Sequence, residues 1–392
     1  MLSKCSLSET TSTQRQGRHN KNYPTLNLPS IMKSSLLKIA SFVVGIFAAA
    51  GSHAQAYQFI DLGNGSAAAV NNAGLVVGSS SLGATLWNGT SATGLAFSGF
   101  GYATAINNAG QIVGASVFHG APNGALWSAN NNTIASLDAP GSGISFANGI
   151  NSAGQIVGGT GNSALLWSPG GGTTTTLTTS YSYNDVANAI NNAGVIVGNS
   201  ITFSGPTVAT KWTGTNATAL PGLGGDYTYA NAINDAGVIV GSGNIASGSN
   251  TYLATEWKGS AITALGTLGG SHSAANAINN AGEIVGYSTS ASGTELATIW
   301  NGTKALNLNT LLSPTVSQAG WVLTDATGIN SQGWIVGDAT NAKLGESDAF
   351  LLRVSPVPEA DTDAMLLIGI GLIGARAYRK PASSKRGTAR LA

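Results

Sequence analysis

The stretch AINNAGQIVG at 105–114 returns along the chain as GINSAGQIVG, AINNAGVIVG, AINDAGVIVG and AINNAGEIVG. Aligned on its Asn, the unit occurs at Asn71, Asn107, Asn151, Asn191, Asn234, Asn279 and Asn330. Three residues later stands a glycine in every copy: Gly74, Gly110, Gly154, Gly194, Gly237, Gly282 and Gly333. Another stands seven residues later, from Gly78 to Gly337. The residue before the Asn is always Val or Ile, and the fifth and sixth after it are always β-branched. Such a repeat in register overrides the two or three domains that 392 residues would suggest and requires one repetitive body.

Each copy reads as a β-hairpin. A strand ends at the Asn, whose side chain can bond the turn's own backbone, and the glycine takes a positive φ that a Cβ would oppose. The Asn and Gly residues are therefore read as turn chemistry, in preference to seven Asn converging as ligands. A third strand ends in an aromatic residue: Trp87, Trp127, Trp167, Trp212, Trp257, Trp300 and, in the last copy, Phe350. A fourth segment follows, such as ITALGTLGG. Four short strands in a mean spacing of about 43 residues match the blade period of β-propellers. Adjacent β-branched pairs point to opposite faces, so both faces need cover, and one Trp per unit supplies it between stacked sheets.

The ends of the body complete this reading. The seventh copy stops at DAFLLRV without a fourth strand, whereas YQFIDLG at 57–63 resembles a fourth strand with no hairpin before it. The expected fold is all-β: a seven-bladed β-propeller at 57–354, closed by its N-terminal strand. A β-solenoid or open β-repeat array is the alternative, and it would have to cap its end sheets.

Composition narrows the function. Charged residues make up 8% of the chain, and most of the basic ones lie at its ends. Between Tyr57 and Val354 there are twelve Asp/Glu and five Lys/Arg, which argues against nucleic acid. The only cysteine, Cys5, precedes the expected cleavage site, so the mature body holds no disulfide or thiolate metal site. Residues 32–56 carry Lys33 and Lys38, an apolar run and Ala54-Gln55-Ala56, the pattern of a signal peptide cut after Ala56 by signal peptidase. The polar residues 1–31 are expected to reflect a mis-assigned start codon.

After 354 come Pro358-Glu359 within a linker (355–363), an apolar Gly-rich run and basic cluster with Arg376 (364–380), and a polar tail expected to be disordered (381–392). This order resembles the PEP-CTERM sorting tail of Gram-negative bacteria. The resemblance implies transient inner-membrane anchoring, processing by an exosortase near Pro358-Glu359, and residence in an exopolysaccharide matrix. Ala360 stands where a second Pro is usual. The repeats themselves, with their AIN…G…VG core, following aromatic and LGTLGG segment, resemble HAF-type extracellular repeat proteins. That resemblance implies secretion and repetition but no catalytic residues.

No constellation of catalytic residues stands out. The body's histidines, His119 and His272, lie in different repeats without ligand-spaced neighbours, so neither a zinc site nor a Ser nucleophile with its base is expected. No calcium loop or P-loop lysine is present, and no cofactor is expected. The segments before each hairpin hold SYSYNDV, GGDYTYA and GSHSAA. Tyr181, Tyr183, Asp185, Asp226, Tyr227, Tyr229 and His272 are thus candidates for a ligand rim, which would stack on and hydrogen-bond to a sugar or surface protein. The alternative is that these rings wedge between sheets. The expectation is a secreted or cell-surface, non-catalytic binding or structural protein. The second reading is a secreted glycan hydrolase or lyase using two carboxylates that meet across the axis.

Overall fold

The computed structural model describes residues 57–96, 101–118, 120–130, 132–139 and 144–354. The expected leader and sorting tail, with Ala54, Ala56, Pro358, Glu359 and Arg376, lie outside the described residues, as does His119. The described body is all-β, built of small antiparallel sheets without a closed barrel.

The described residues form seven successive four-stranded units; in the first six, neighbouring strands are consecutive in sequence, and in the seventh the fourth place is taken by the N-terminal strand. Their first strands end at the seven Asn turns; those of units 2 to 7 are Gly101–Ile106, Phe146–Ile150, Ser182–Ile190, Thr228–Ile233, Gly269–Ile278 and Trp321–Ile329. The strand Tyr57–Val70 serves two units. Its residues 65–70 begin unit 1 by pairing with 76–80. Its residues 57–61 pair antiparallel with Phe350–Val354, Tyr57 opposite Val354 and Asp61 opposite Phe350, and so supply the fourth strand of unit 7. A single parallel bridge, Tyr252 to His272, joins units 5 and 6.

The turn chemistry is uniform. In every copy the Asn N–H donates to the carbonyl four residues on, and the N–H of the glycine three residues on donates to the Asn carbonyl. The Asn Oδ1 accepts from the N–H four residues on, from Leu75 in the first copy to Trp334 in the last. The seven turn glycines hold φ between 73° and 87°.

The second glycine has a different cause. In every copy the first strand bulges at the residue three before the Asn, where the pairing register slips by one. Opposite the bulge lies the glycine seven after the Asn, and a Cβ there would overlap a backbone oxygen of the first strand: Ser66 O at Gly78, Val186 O at Gly198, Asp325 O at Gly337. It is a close-approach glycine. Gly198→Ala is therefore expected to cost about 3 kcal/mol or more, because backbone must move. Gly237→Ala, at φ +77° with nothing within 4 Å, should cost about 1–2 kcal/mol of strain. Urea melts of the two variants check this ordering.

Between successive units lie seven apolar clusters. Val77, Ala84 and Leu95 of unit 1 pack on Ala103, Ile112, Ala125 and Trp127 of unit 2, and the pattern repeats along the chain. The seventh cluster joins last to first, with Val336, Ala349, Leu351 and Leu62 against Val76 and Trp87. The six third-strand tryptophans are buried, and most reach back to the preceding unit: Trp87 Nε1 donates to Leu62 O (2.9 Å), Trp167 to Asp138 O (2.9 Å), Trp257 to Pro221 O (2.8 Å) and Trp300 to Gly266 O (2.8 Å).

Candidate functional site

The seven Asn turns surround a central cavity of ≈ 240 Å³. Oδ1 of each Asn serves its own turn, which leaves Nδ2 free to reach the next unit. Asn71 donates to Asn107 O, Asn107 to Asn151 O, Asn151 to Asn191 O, Asn191 to Asn234 O, Asn234 to Asn279 O and Asn279 to Asn330 O, at 3.0–3.3 Å. Asn330 returns to Asn71 O at 3.0 Å. The Asn residues thus do converge, through contacts between turns as well as within them.

A second tier uses the bulge residues. Thr104, Asn148, Asn188, Asn231, Asn276 and Thr327 each donate to the carbonyl four before the next unit's Asn; the first acceptor is Ala147 O and the last, for Thr327, is Ala67 O. The seventh position is Ala68, which has no donor. All of these except Asn276 line a further cavity of ≈ 300 Å³ along the same first strands. Ala68→Asn, with this cavity beside it, is expected to complete the tier and stabilise the body by about 1 kcal/mol; a thermal melt that falls instead would contradict it.

The predicted rim lies at the other ends of the first strands. Eight residues separate Tyr183 from Asn191, roughly 25 Å along a strand. The structure divides the seven predicted residues into two groups. In unit 4, Tyr183 is 56% exposed and its ring stands 6.3 Å from that of Phe203, while the Tyr181 hydroxyl bonds Thr210 Oγ1. Asp185 is not a rim group: it is 5% exposed, and its Oδ1 accepts from Ser182 Oγ at 2.6 Å. At units 5 and 6, Tyr227, Tyr229 and His272 gather around Tyr252, whose ring stacks on His272 at 6.2 Å. Burial, then the nearby Tyr229 and Tyr227, raises the Tyr252 pKa. Asp226 accepts from Ser247 Oγ at 2.7 Å. Sequence reasoning missed Phe203 and Tyr252 because they follow the second strand rather than precede the first.

A group of acids was missed as well. Asp325 and Asp338 stand directly opposite each other on paired strands of unit 7. Burial first, then the charges of Asp338 and Glu295, raises Asp325 to about 7, although Asn276 Nδ2 donates to its Oδ1 at 2.8 Å. Asp338 is raised by burial despite a bond to Ser66. At the strand that joins last unit to first, burial and then Asp61 and Glu346 raise Asp348 to about 6. Counting both strands from the Asn would have found the first pair, since Asp325 is five before and Asp338 eight after Asn330.

These shifts carry a pH prediction. A carboxyl with a raised folded pKa contributes stability that is fully present below its unfolded value near 4. That contribution is lost as pH rises through the folded value, here about 6 for Asp348 and about 7 for Asp325. Asp235 opposes this at lower pH. It is lowered because bonds from Asn192 and Asn280 outweigh its burial, and its contribution is lost only as pH falls through its low folded value. The melting temperature should thus be higher at pH 5.5 than at pH 8, and Asp325→Asn should shrink the difference.

Residues 356–380 match the PEP-CTERM protein-sorting motif. The motif implies processing by an exosortase during export and a place at the envelope or surface of a Gram-negative bacterium. It does not extend to the repeats, so the HAF-type resemblance stays a proposal. Among the described residues no helix is long and apolar enough to cross a membrane. No curated protein matches the chain. Among solved structures, the chain is similar to the extracellular domain of a hybrid two-component system from B. thetaiotaomicron, with 10% identity and a TM-score of 0.46, covering 75% of this chain. The chain spans 39% of that protein's length. It is also similar to TolB from Acinetobacter baumannii, with 13% identity and a TM-score of 0.42, covering 70% of this chain and 69% of that one.

Proposed function

We propose that the seven units are the blades of a seven-bladed β-propeller closed by its N-terminal strand, and that the protein is a non-catalytic, HAF-type binding module of the cell surface or its exopolysaccharide matrix. The proposed organisation is a signal peptide at 32–56, the propeller at 57–354 and an exosortase-processed anchor at 364–380. The observation that carries the binding role is the segregation of side chains. Polar groups at the Asn end are tied into links between units, whereas the exposed rings of Tyr183, Phe203 and Tyr227 and the half-buried Tyr252–His272 stack collect at the opposite ends of the strands. An exposed aromatic surface of this kind suits stacking on a ligand. The test is to incubate the purified chain with the producer's exopolysaccharide and follow retention and new reducing ends. Retention without cleavage is expected; absence of retention would overturn the reading.

The Asp325–Asp338 pair favours a second reading, a glycan hydrolase or lyase. A carboxyl held near pH 7 beside a second carboxylate is the arrangement of a general acid and its partner. New reducing ends that vanish in Asp325→Asn would establish it.

A further inference from the structure

We propose that the groove between 269–272 and 289–293, at the foot of the Tyr252–His272 stack, is a subsite for an uncharged glycan, holding one pyranose ring beside His272. The inference rests on the binding reading above and names its ligand class and place.

The groove follows from local sequence. The strand Gly269–Ile278 leaves its ladder between Gly269 and Ser273. Gly269 takes φ +104°, and at Gly270 the backbone lies so close to Thr289 that a Cβ would overlap its side chain. Only glycines permit this path, and beside it opens a cavity of ≈ 490 Å³. Thr289 Oγ1 then fixes the backbone of His272 twice, accepting from its N–H and donating to its C=O, both at 3.1 Å. Ser271 Oγ bonds His272 Nδ1 at 2.8 Å, and Tyr252 stacks on the ring with an interplanar angle of 21°. The imidazole is therefore held in place on two sides before any ligand arrives.

The lining selects the ligand. Ser271, Thr289 and Ser290 line the groove with hydroxyl oxygens, each already engaged in a hydrogen bond within the protein, the remaining residues are Gly, Ala and His272, and no Lys, Arg, Asp or Glu lines it. A polyhydroxylated, uncharged ligand matches hydroxyls and an aromatic face together. An anionic glycan would find no Lys or Arg in the groove and a body with twelve acids against five bases.

The test titrates the full purified chain by calorimetry with neutral oligosaccharides (dextran, mannan, galactan and β-glucan fragments), with alginate and polygalacturonate fragments, and with a mixed peptide library. The proposal expects at least one neutral series to bind. It further expects His272→Ala and Tyr252→Ala to weaken binding at least tenfold at unchanged melting temperature. In the wild-type chain the His272 ring resonances should shift on titration, a readout that needs no variant. Neutral glycan binding that ignores both substitutions and leaves those resonances unmoved would overturn the subsite and leave the binding reading standing. Stronger binding of the uronates or peptides would overturn the ligand class. Failure of every glycan would overturn both readings.

Discussion

Deleting residues 57–63 is expected to lower the melting temperature of the whole body by about 8 °C or more, in a single transition. The segment supplies the fourth strand of unit 7 through its pairing with Phe350–Val354. It also supplies Phe59, whose ring lies 5.6 Å from Trp321 and 6.5 Å from Phe350, and Leu62, which is buried in the cluster between last and first units. Each large apolar side chain contributes about 2–3 kcal/mol by burial. Trp87 would lose the Leu62 carbonyl as well. A loss of roughly 5 kcal/mol corresponds to about 8 °C for a body of this size. Because every unit leans on two neighbours, the loss should spread around all seven. Hydrogen exchange that shows fraying of unit 7 alone would mean that the units are energetically independent.

Asn191→Asp is expected to cost about 3 kcal/mol at pH 8, and much of that loss should return at pH 5. The side chain is 4% exposed and has two tasks. Its Oδ1 accepts from the N–H groups of Ala193 (3.1 Å) and Val195 (2.9 Å), and its Nδ2 donates to Asn234 O (3.1 Å). Asp keeps the acceptor and is as good a turn former, so a residue serving the turn alone would tolerate the change. In the link between units, however, a carboxylate oxygen replaces a donor and faces a carbonyl oxygen in a buried place, with a cost of a few kcal/mol. That environment raises the new carboxyl's pKa. Below its folded value the protonated group can donate as the amide did, so stability recovers as pH falls. Melts at the two pH values, each referred to the wild type, read the difference. Equal small losses at both would assign Asn191 to its turn only.

Much of the architecture is legible because the repeat repeats its local chemistry. The Asn at the end of a strand, a glycine at positive φ three residues on and one buried aromatic per unit all act within one hairpin or against its neighbour. The links between units are less legible, because a donor such as Asn71 Nδ2 meets a carbonyl 36 residues away, and Asn330 meets one 259 residues away. The bulge residues Thr104, Asn148 and Asn188 stand in the sequence as unexplained polar positions in an apolar strand, and only the slipped register shows where they point. The glycines seven after the Asn look like part of the turn, yet backbone crowding opposite the bulge requires them.

The candidate rim shows the same limit. Tyr227, Tyr229 and His272 come together as their shared place in the repeat suggests. The second-strand loops bring in Phe203 and Tyr252, and Ser182 holds Asp185 inside. Repeat position reveals which end of a strand a side chain occupies; it does not reveal whether a neighbour has already engaged it.

Closure of the cycle is best tested at its seam. Gln58 and Arg353 are both exposed and lie directly opposite each other in the register that joins the first strand to the last. Opposed residues of an antiparallel pair fall within disulfide range. In a chain with Cys5→Ser, Gln58→Cys and Arg353→Cys introduce the only two thiols. The account predicts near-complete intramolecular disulfide formation under mild oxidation and a raised melting temperature. Two thiols that stay free in the folded chain, or that couple only between molecules, would contradict it.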